Sequence, residues 1–215
     1  MSRTFKLEWD PYGSNDKIYS GKNVTFEPGI TVLVGCNGSG KTTMLDCIIT
    51  PNLTKLKIPF FTYSNIKSGG KDAISRSAFN EDFYKTALLM QSSEGEQIYY
   101  NISDIAKAIG KFVRDHKDDK ELWFLFDGID SGLSIDYIRE INDDLFKTVI
   151  NANSDKDIYI VLSANNYEST IGNMTMDTRT GKYVTIKSYD YFHKFIMRSR
   201  SLKDKRYGHD KEENA

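Results

Sequence analysis

Two cysteines in 215 residues, Cys36 and Cys47, are too few for a disulfide-stapled fold, and both read as free thiols of a reducing compartment. No run approaches the ~18 consecutive apolar residues of a membrane span. Met1-Ser2-Arg3-Thr4 has no apolar signal core behind it. These shortages lead to the expectation of a cytoplasmic protein with no membrane span. An excess of one charge is missing too: 29 Lys and Arg face 30 Asp and Glu, for a net charge of −1. The chain as a whole is therefore not drawn to nucleic acid or anionic membrane, and any such contact would rest on a local patch. No internal repeat and no sustained heptad occurs, which excludes a long coiled coil.

What is present is ordinary globular material, 39% hydrophobic and 27% charged. The length suits one packed domain. We expect that domain over 1–202, with 52–120 as a less regular, helical insertion and 203–215 as a charged, disordered tail. Thr4 to Trp9 alternates polar and apolar and reads as a strand, followed by a turn cluster from Asp10 to Asp16. Val24–Phe26 is a short strand, and Ile30–Val34 has the β-branched, apolar character of a buried one. A helix over Thr42–Ile49 should stop at Pro51, and Ile58–Tyr63 can form a strand. Asn80 can cap a further helix reaching Gln91. Ile98, Ile102, Ile105, Ile109 and Val113 recur at helical spacing. Leu122–Phe126 and Ile158–Leu162 are two more buried-type strands, separated by a helix that Ser134 can cap. Val184–Ile186 reads as an edge strand and Tyr189–Ser201 as a helix. Helices thus alternate with strands, and the most apolar strands lie mid-chain. This predicts an α/β sandwich with a largely parallel core sheet and an antiparallel β portion at the N-terminus.

Gly35-Cys36-Asn37-Gly38-Ser39-Gly40-Lys41-Thr42 fits G-x-x-x-x-G-K-[ST] in full, with a buried strand before it and a helix after it. Phosphate binding needs these residue types. Glycines let backbone N–H groups converge on phosphate oxygens, and the helix N-terminus adds positive potential. Lys41 places a cation on the β- and γ-phosphates, and Thr42 offers a hydroxyl to Mg²⁺. The run Leu122-Trp123-Phe124-Leu125-Phe126-Asp127 is an apolar strand ending in a carboxylate. An aspartate there can be a simple turn residue. Beside a phosphate loop it reads as the residue that approaches Mg²⁺.

Three segments in this order resemble the ATP-binding cassette (ABC) class of P-loop ATPases. The closest likeness is to its chromosome-maintenance, RecF-like and OLD-like branch. They are the loop extended to Thr43, Ser92-Ser93-Glu94-Gly95-Glu96-Gln97 as a variant signature motif, and Asp127-Gly128-Ile129-Asp130-Ser131-Gly132-Leu133-Ser134 as the acidic strand end with its D-loop. The resemblance covers residues 3 to 165. It implies a fold of that class and a mechanism in which two heads sandwich two ATP molecules. Ser93 and Gly95 would then reach the γ-phosphate held by the partner, and Asp130 would sit at the dimer seam. The same Ser93 with Glu96 also forms a helix capping box.

The chain departs from that pattern. The class normally carries a glutamate directly after the strand-end aspartate, and here it is Gly128, which has no side chain to act as a base. Three explanations stay open: another carboxylate substitutes (Asp130, or Glu94 of the partner subunit), hydrolysis is slow and ATP locks a dimer, or ATP is bound without turnover. Asn165 stands where a histidine is usual; it can hydrogen-bond a γ-phosphate oxygen but does not titrate near neutrality. Asn65 is a weak stand-in for a Q-loop glutamine. Tyr12 or Tyr19 could stack on adenine or simply pack against the sheet edge. His116, His193 and His209 lie outside these motifs and read as surface residues.

Lys194, Arg198, Arg200, Lys203, Lys205 and Arg206 put six cations in thirteen residues, against one acid, Asp204. This reads as a solvated helix face and tail, or as a phosphate-binding arm. The resemblance leads us to expect an ATP- and Mg²⁺-binding head that dimerises on ATP in a DNA-related process. A nucleotide-gated switch acting on a protein partner is the alternative. A transporter subunit fits poorly, because a clear Q-loop is missing and the segment between Lys41 and Ser93 is short. A small-molecule kinase would need lid arginines, and only Arg76 and Arg114 lie between Lys41 and Asp127.

Overall fold

A computed structural model describes residues 1–9, 17–64, 94–131 and 134–207, with the backbone alone for 94–102 and 207. The turn at Asp10–Asp16, Tyr12, Asn65, the helix expected from Asn80, Ser92-Ser93, Gly132-Leu133 and the tail from 208 onward lie outside the described residues.

The chain opens with β1 (Arg3–Lys6) and β2 (Asn23–Phe26), an antiparallel pair in a sheet of their own. β3 (Gly29–Val34) leads into α1, a helical stretch over 41–56. β4 (Phe60–Ser64), α2 (Glu94–Asp115), β5 (Glu121–Asp127) and α3 over 135–152 follow. The last elements are β6 (Asp157–Ser163), a 3₁₀ turn at Tyr167–Thr170, β7 (Met174–Asp177), β8 (Lys182–Tyr183) and α4 (Tyr189–Tyr207). The main sheet has six strands in the order β4-β5-β6-β3-β7-β8, parallel except for β8. This is the mixed α/β, mostly parallel architecture of a P-loop NTPase, with a separate antiparallel pair, as the sequence predicted.

Alternation along the strands makes two cores. Leu33, Trp123, Leu125, Tyr159 and Val161 face α1 and the β1–β2 pair, burying Phe5, Phe26, Met44, Ile48 and Leu53 with them. Val32, Val34, Phe124, Phe126, Ile160 and Leu162 face α2, α3 and α4 through Ile105, Ile109, Ile141, Phe146 and Phe192. A strand covered on both faces is apolar at most positions, which explains the near-continuous apolar runs in β3, β5 and β6. Trp123 anchors the first core. It stacks on Tyr159 at a 4.2 Å centroid distance and 6° between planes, meets Phe26 edge-on at 5.6 Å, and its indole N–H donates to Glu121 Oε1 at 2.8 Å. Arg3 Nε donates to the same carboxylate at 2.8 Å, tying β1 to β5.

Several expectations shift. α1 does not stop at Pro51. Met44–Ile49 winds in the wider π form, and Pro51 falls at the start of the resumed α-helical segment Thr50–Leu56. Pro51 has no amide to give the preceding turn, and the wider π winding just before it accommodates the ring, so the helix runs on until Lys57 turns left-handed at φ 56°. β4 lies within the expected insertion yet joins the main sheet beside β5. The edge strand is Lys182–Tyr183 rather than Val184–Ile186. The β7 it pairs with went unread, because Met174-Thr175-Met176-Asp177 is short and half polar. α4 passes the expected break at 203 and ends at Tyr207, because Phe192, Phe195, Ile196, Ser199, Leu202, Lys203 and Arg206 form one continuous helical stripe.

Replacing Trp123 with alanine should lower the unfolding free energy by about 3–5 kcal/mol, the usual cost of a large aromatic lost from a packed core. Urea unfolding reads this directly. Leu56→Ala, at a side chain 53% exposed, should change it by less than about 0.5 kcal/mol. A Trp123→Ala effect as small as the surface control would mean that the first core is not organised around this ring.

Candidate nucleotide-binding site

The loop after β3 is shaped by its glycines. Gly38 and Gly40 take positive φ values of 77° and 95°, which side chains with a Cβ rarely tolerate. A Cβ at Gly35 would lie 2.4 Å from Ser39 Oγ, so the loop closes on itself at a distance only glycine permits. Ser39 N–H donates to the Cys36 carbonyl at 3.0 Å, and Met44 N–H to that of Gly40 at 2.8 Å, which starts α1. Tyr19 supports the loop from beneath. It is 2% exposed, its hydroxyl donates to the Gly40 carbonyl at 2.7 Å, and burial raises its pKa. It is therefore a packing residue and not an adenine platform.

Lys41 is 9% exposed, and its ammonium donates to the carbonyls of Gly35 at 2.7 Å and Cys36 at 3.3 Å. Burial lowers its pKa, while Cys36, Asp130 and Asp127 pull it back up through space. Among the described residues no carboxylate lies within ion-pair distance of it. A buried cation held only by carbonyls is matched to an anion arriving from outside. Thr42 Oγ1 donates to Asp127 with 3.0 Å to each carboxylate oxygen. Ser163 Oγ donates to Asp127 Oδ1 at 2.5 Å and accepts from Gly128 N–H at 2.9 Å. The hydroxyl and carboxylate thus meet at the first turn of α1. Mg²⁺ takes one or two carboxylates and keeps phosphate and water for the rest of its octahedron, so this pair fits it.

Gly128 has φ 66°, and Ser131 N–H donates to its carbonyl at 3.1 Å in a tight turn after β5. A glutamate there would carry backbone strain as well as a new side chain. Asp130 sits two residues on, but faces inward and is 1% exposed. Its Oδ2 accepts the backbone N–H groups of Asn165 at 2.7 Å and Asn166 at 2.8 Å, and its Oδ1 has no partner among the described residues. Burial raises its pKa, with the Asn166 and Asn165 amides opposing. Asp130 thus ties the loop after β5 to the loop after β6.

The structure brings together Gly35, Gly38, Ser39, Gly40, Lys41, Thr42 and Asp127, with Thr43 in the first turn of α1. Asn37 is exposed at the loop crest, and Asn165 is exposed at the end of β6. Ser93 lies outside the described residues, and Gly95 is in the first turn of α2. Sequence reading missed Ser163 as the support of Asp127; the strand register, which pairs Asp127 with Ser163, is the signal. It also missed α4 as a wall of the loop. Cys36 N–H donates to Ser199 Oγ at 3.1 Å, and Lys203 Nζ donates to the Asn37 carbonyl at 3.3 Å.

Fold and loop together define a P-loop NTPase domain. A family model described as an AAA domain matches residues 14–201, most of the chain, and the chain belongs to that family. Nucleotide binding follows from that membership. No curated protein matches the chain. Among the described residues no helix is long and apolar enough to cross a membrane.

The raised pKa of Asp130 has a consequence for stability. The folded chain holds this proton more tightly than the unfolded chain does. The group's stabilisation is therefore full below the ordinary carboxylate value of about 3.9. It is lost as pH rises towards the raised folded value and stays constant above it. Asp130→Asn keeps an oxygen acceptor and removes the titration. Urea unfolding between pH 3.5 and 8 should show wild type losing stability relative to the variant as pH rises through that window. A difference independent of pH would contradict the buried, proton-holding carboxyl.

Proposed function

We propose that the chain binds ATP with Mg²⁺ on this loop and hydrolyses it as an ABC-type ATPase head that dimerises on ATP. The observation that carries this is the Thr42–Asp127 contact beside a buried Lys41 whose partners among the described residues are carbonyls. The amides of 38–43 and the ammonium of Lys41 would hold the phosphates, and Thr42 and Asp127 would hold Mg²⁺. Mg²⁺ supplies charge neutralisation between the β- and γ-phosphates. The exposed side chain of Asn165 would donate to a γ-phosphate oxygen. Ser93 and Gly95 would meet the γ-phosphate of a second head. With Asp130 committed to the loop after β6, Glu94 of the partner subunit is the remaining carboxylate for orienting water. The order of the motifs and the cations of α4 support a DNA-related role in repair, recombination, phage biology or defence.

A second reading is favoured by Gly128, whose left-handed turn leaves no side chain at the usual glutamate position. There the chain is a nucleotide-gated switch that binds ATP with little turnover and acts on a protein partner.

Steady-state hydrolysis at several protein concentrations, with gel filtration in ATP and Mg²⁺, separates the two. A working dimeric head gives specific activity that rises with concentration and a shift to dimer. Lys41→Ala should weaken ATP binding by roughly a hundredfold or more and abolish turnover. A monomer at saturating ATP would sink the dimer mechanism, and tight binding without turnover would select the switch.

A further inference from the structure

On the outer side of the loop a cleft of about 200 Å³ opens between the 17–20 segment, the turn after β7 and the inward stripe of α4. Every charged side chain among its described lining residues is a cation: Lys17, Arg179, Lys203 and Arg206. Ile18 and Leu202 supply its apolar surface. Ser39, a residue of the phosphate loop itself, also lines it. Ser39 is 7% exposed, and its hydroxyl has no hydrogen-bond partner among the described residues. A buried hydroxyl is unfavourable without a partner, so this spot suits a polar ligand atom. The walls are held in place: Arg206 Nη1 donates to the Ile18 carbonyl at 3.1 Å, and Ser199 accepts from Cys36 N–H at 3.1 Å. The nearby acid on α4 is Asp204, 3.7 Å from both Lys203 and Arg200.

The sheet order says what should occupy the cleft. Asp127 ends β5, on one side of β3, and Arg179 follows β7 on the other side. A triphosphate with its Mg²⁺-bearing end at Thr42 and Asp127 lies across the loop. Its opposite end, the ribose and base, then leaves on the β7 side. We propose that this cleft is the nucleoside subsite, with the C-terminal helix as its wall. Guanidinium planes of Arg179 and Arg206 stack on the purine, Ile18 and Leu202 pack against it, and the Ser39 hydroxyl meets the ribose. Lys17 and Lys203 offset the phosphate charge left over after Lys41 and Mg²⁺. The proposal rests on the phosphate loop binding a triphosphate.

Inorganic tripolyphosphate carries the phosphates without the nucleoside, so it separates the two parts. Calorimetric titration of Arg179→Ala/Leu202→Ala with Mg²⁺ and either ATP or tripolyphosphate should show ATP affinity falling by about tenfold or more and tripolyphosphate affinity unchanged. An equal fall for both ligands, or no fall for ATP, overturns the subsite. Lys41→Ala tests the underlying reading separately, since it should weaken both ligands; ATP binding that survives it would refute the loop and not the cleft. Should the double variant fail to fold, the wild-type chain still answers. ATP should shield Arg179, assigned to the purine, from an arginine-reactive label more than tripolyphosphate does. Equal shielding overturns the proposal.

Discussion

The contact of the Thr42 hydroxyl with the Asp127 carboxylate is the point on which the site depends, because it joins two strands that are not neighbours. β6 separates β3 from β5 in the sheet. All three are parallel, so their C-terminal ends lie on one edge, and the loop after β3 can reach the end of β5 only there. Ser163, paired with Asp127 in the register, donates to the carboxylate and fixes its orientation from the intervening strand. One carboxylate is thus held by one strand neighbour and presented to the first turn of α1, where phosphate and a divalent cation have their natural place.

A second tie lies behind the first. Asp130 spends its carboxylate on the amides of Asn165 and Asn166, locking the turn after β5 to the turn after β6. A buried charge with one oxygen lacking a partner is costly, and its proton affinity rises accordingly. The arrangement joins the two loops through one carboxylate.

Much of this was legible in residue order. The phosphate loop announces itself because its chemistry needs particular residue types at fixed spacing. The strands flanking it are apolar at most positions because helices cover both faces of the sheet. Less was legible where neighbours, not local pattern, decide. Met174-Thr175-Met176-Asp177 became a strand because β3 offered it a free parallel edge. Pro51 looked like a stop, yet the wider winding before it moved it to a tolerated position. Lys203 and Arg206 looked like a basic tail, because the sequence does not show that their helix lies against the loop.

The sequence by itself determined that a phosphate-binding loop follows a buried strand, that an acidic strand end accompanies it, and that the usual glutamate is a glycine. Those are covalent facts about local chemistry, and spacing alone is enough to read them. Only the tertiary structure decided which side chains the loop meets. Asp127 lies 85 residues from Thr42 and Ser199 lies 163 residues from Cys36. Contacts across such separations are set by strand order and by the packing of α4. No local pattern encodes them, because their free energy comes from burying both partners together in one core.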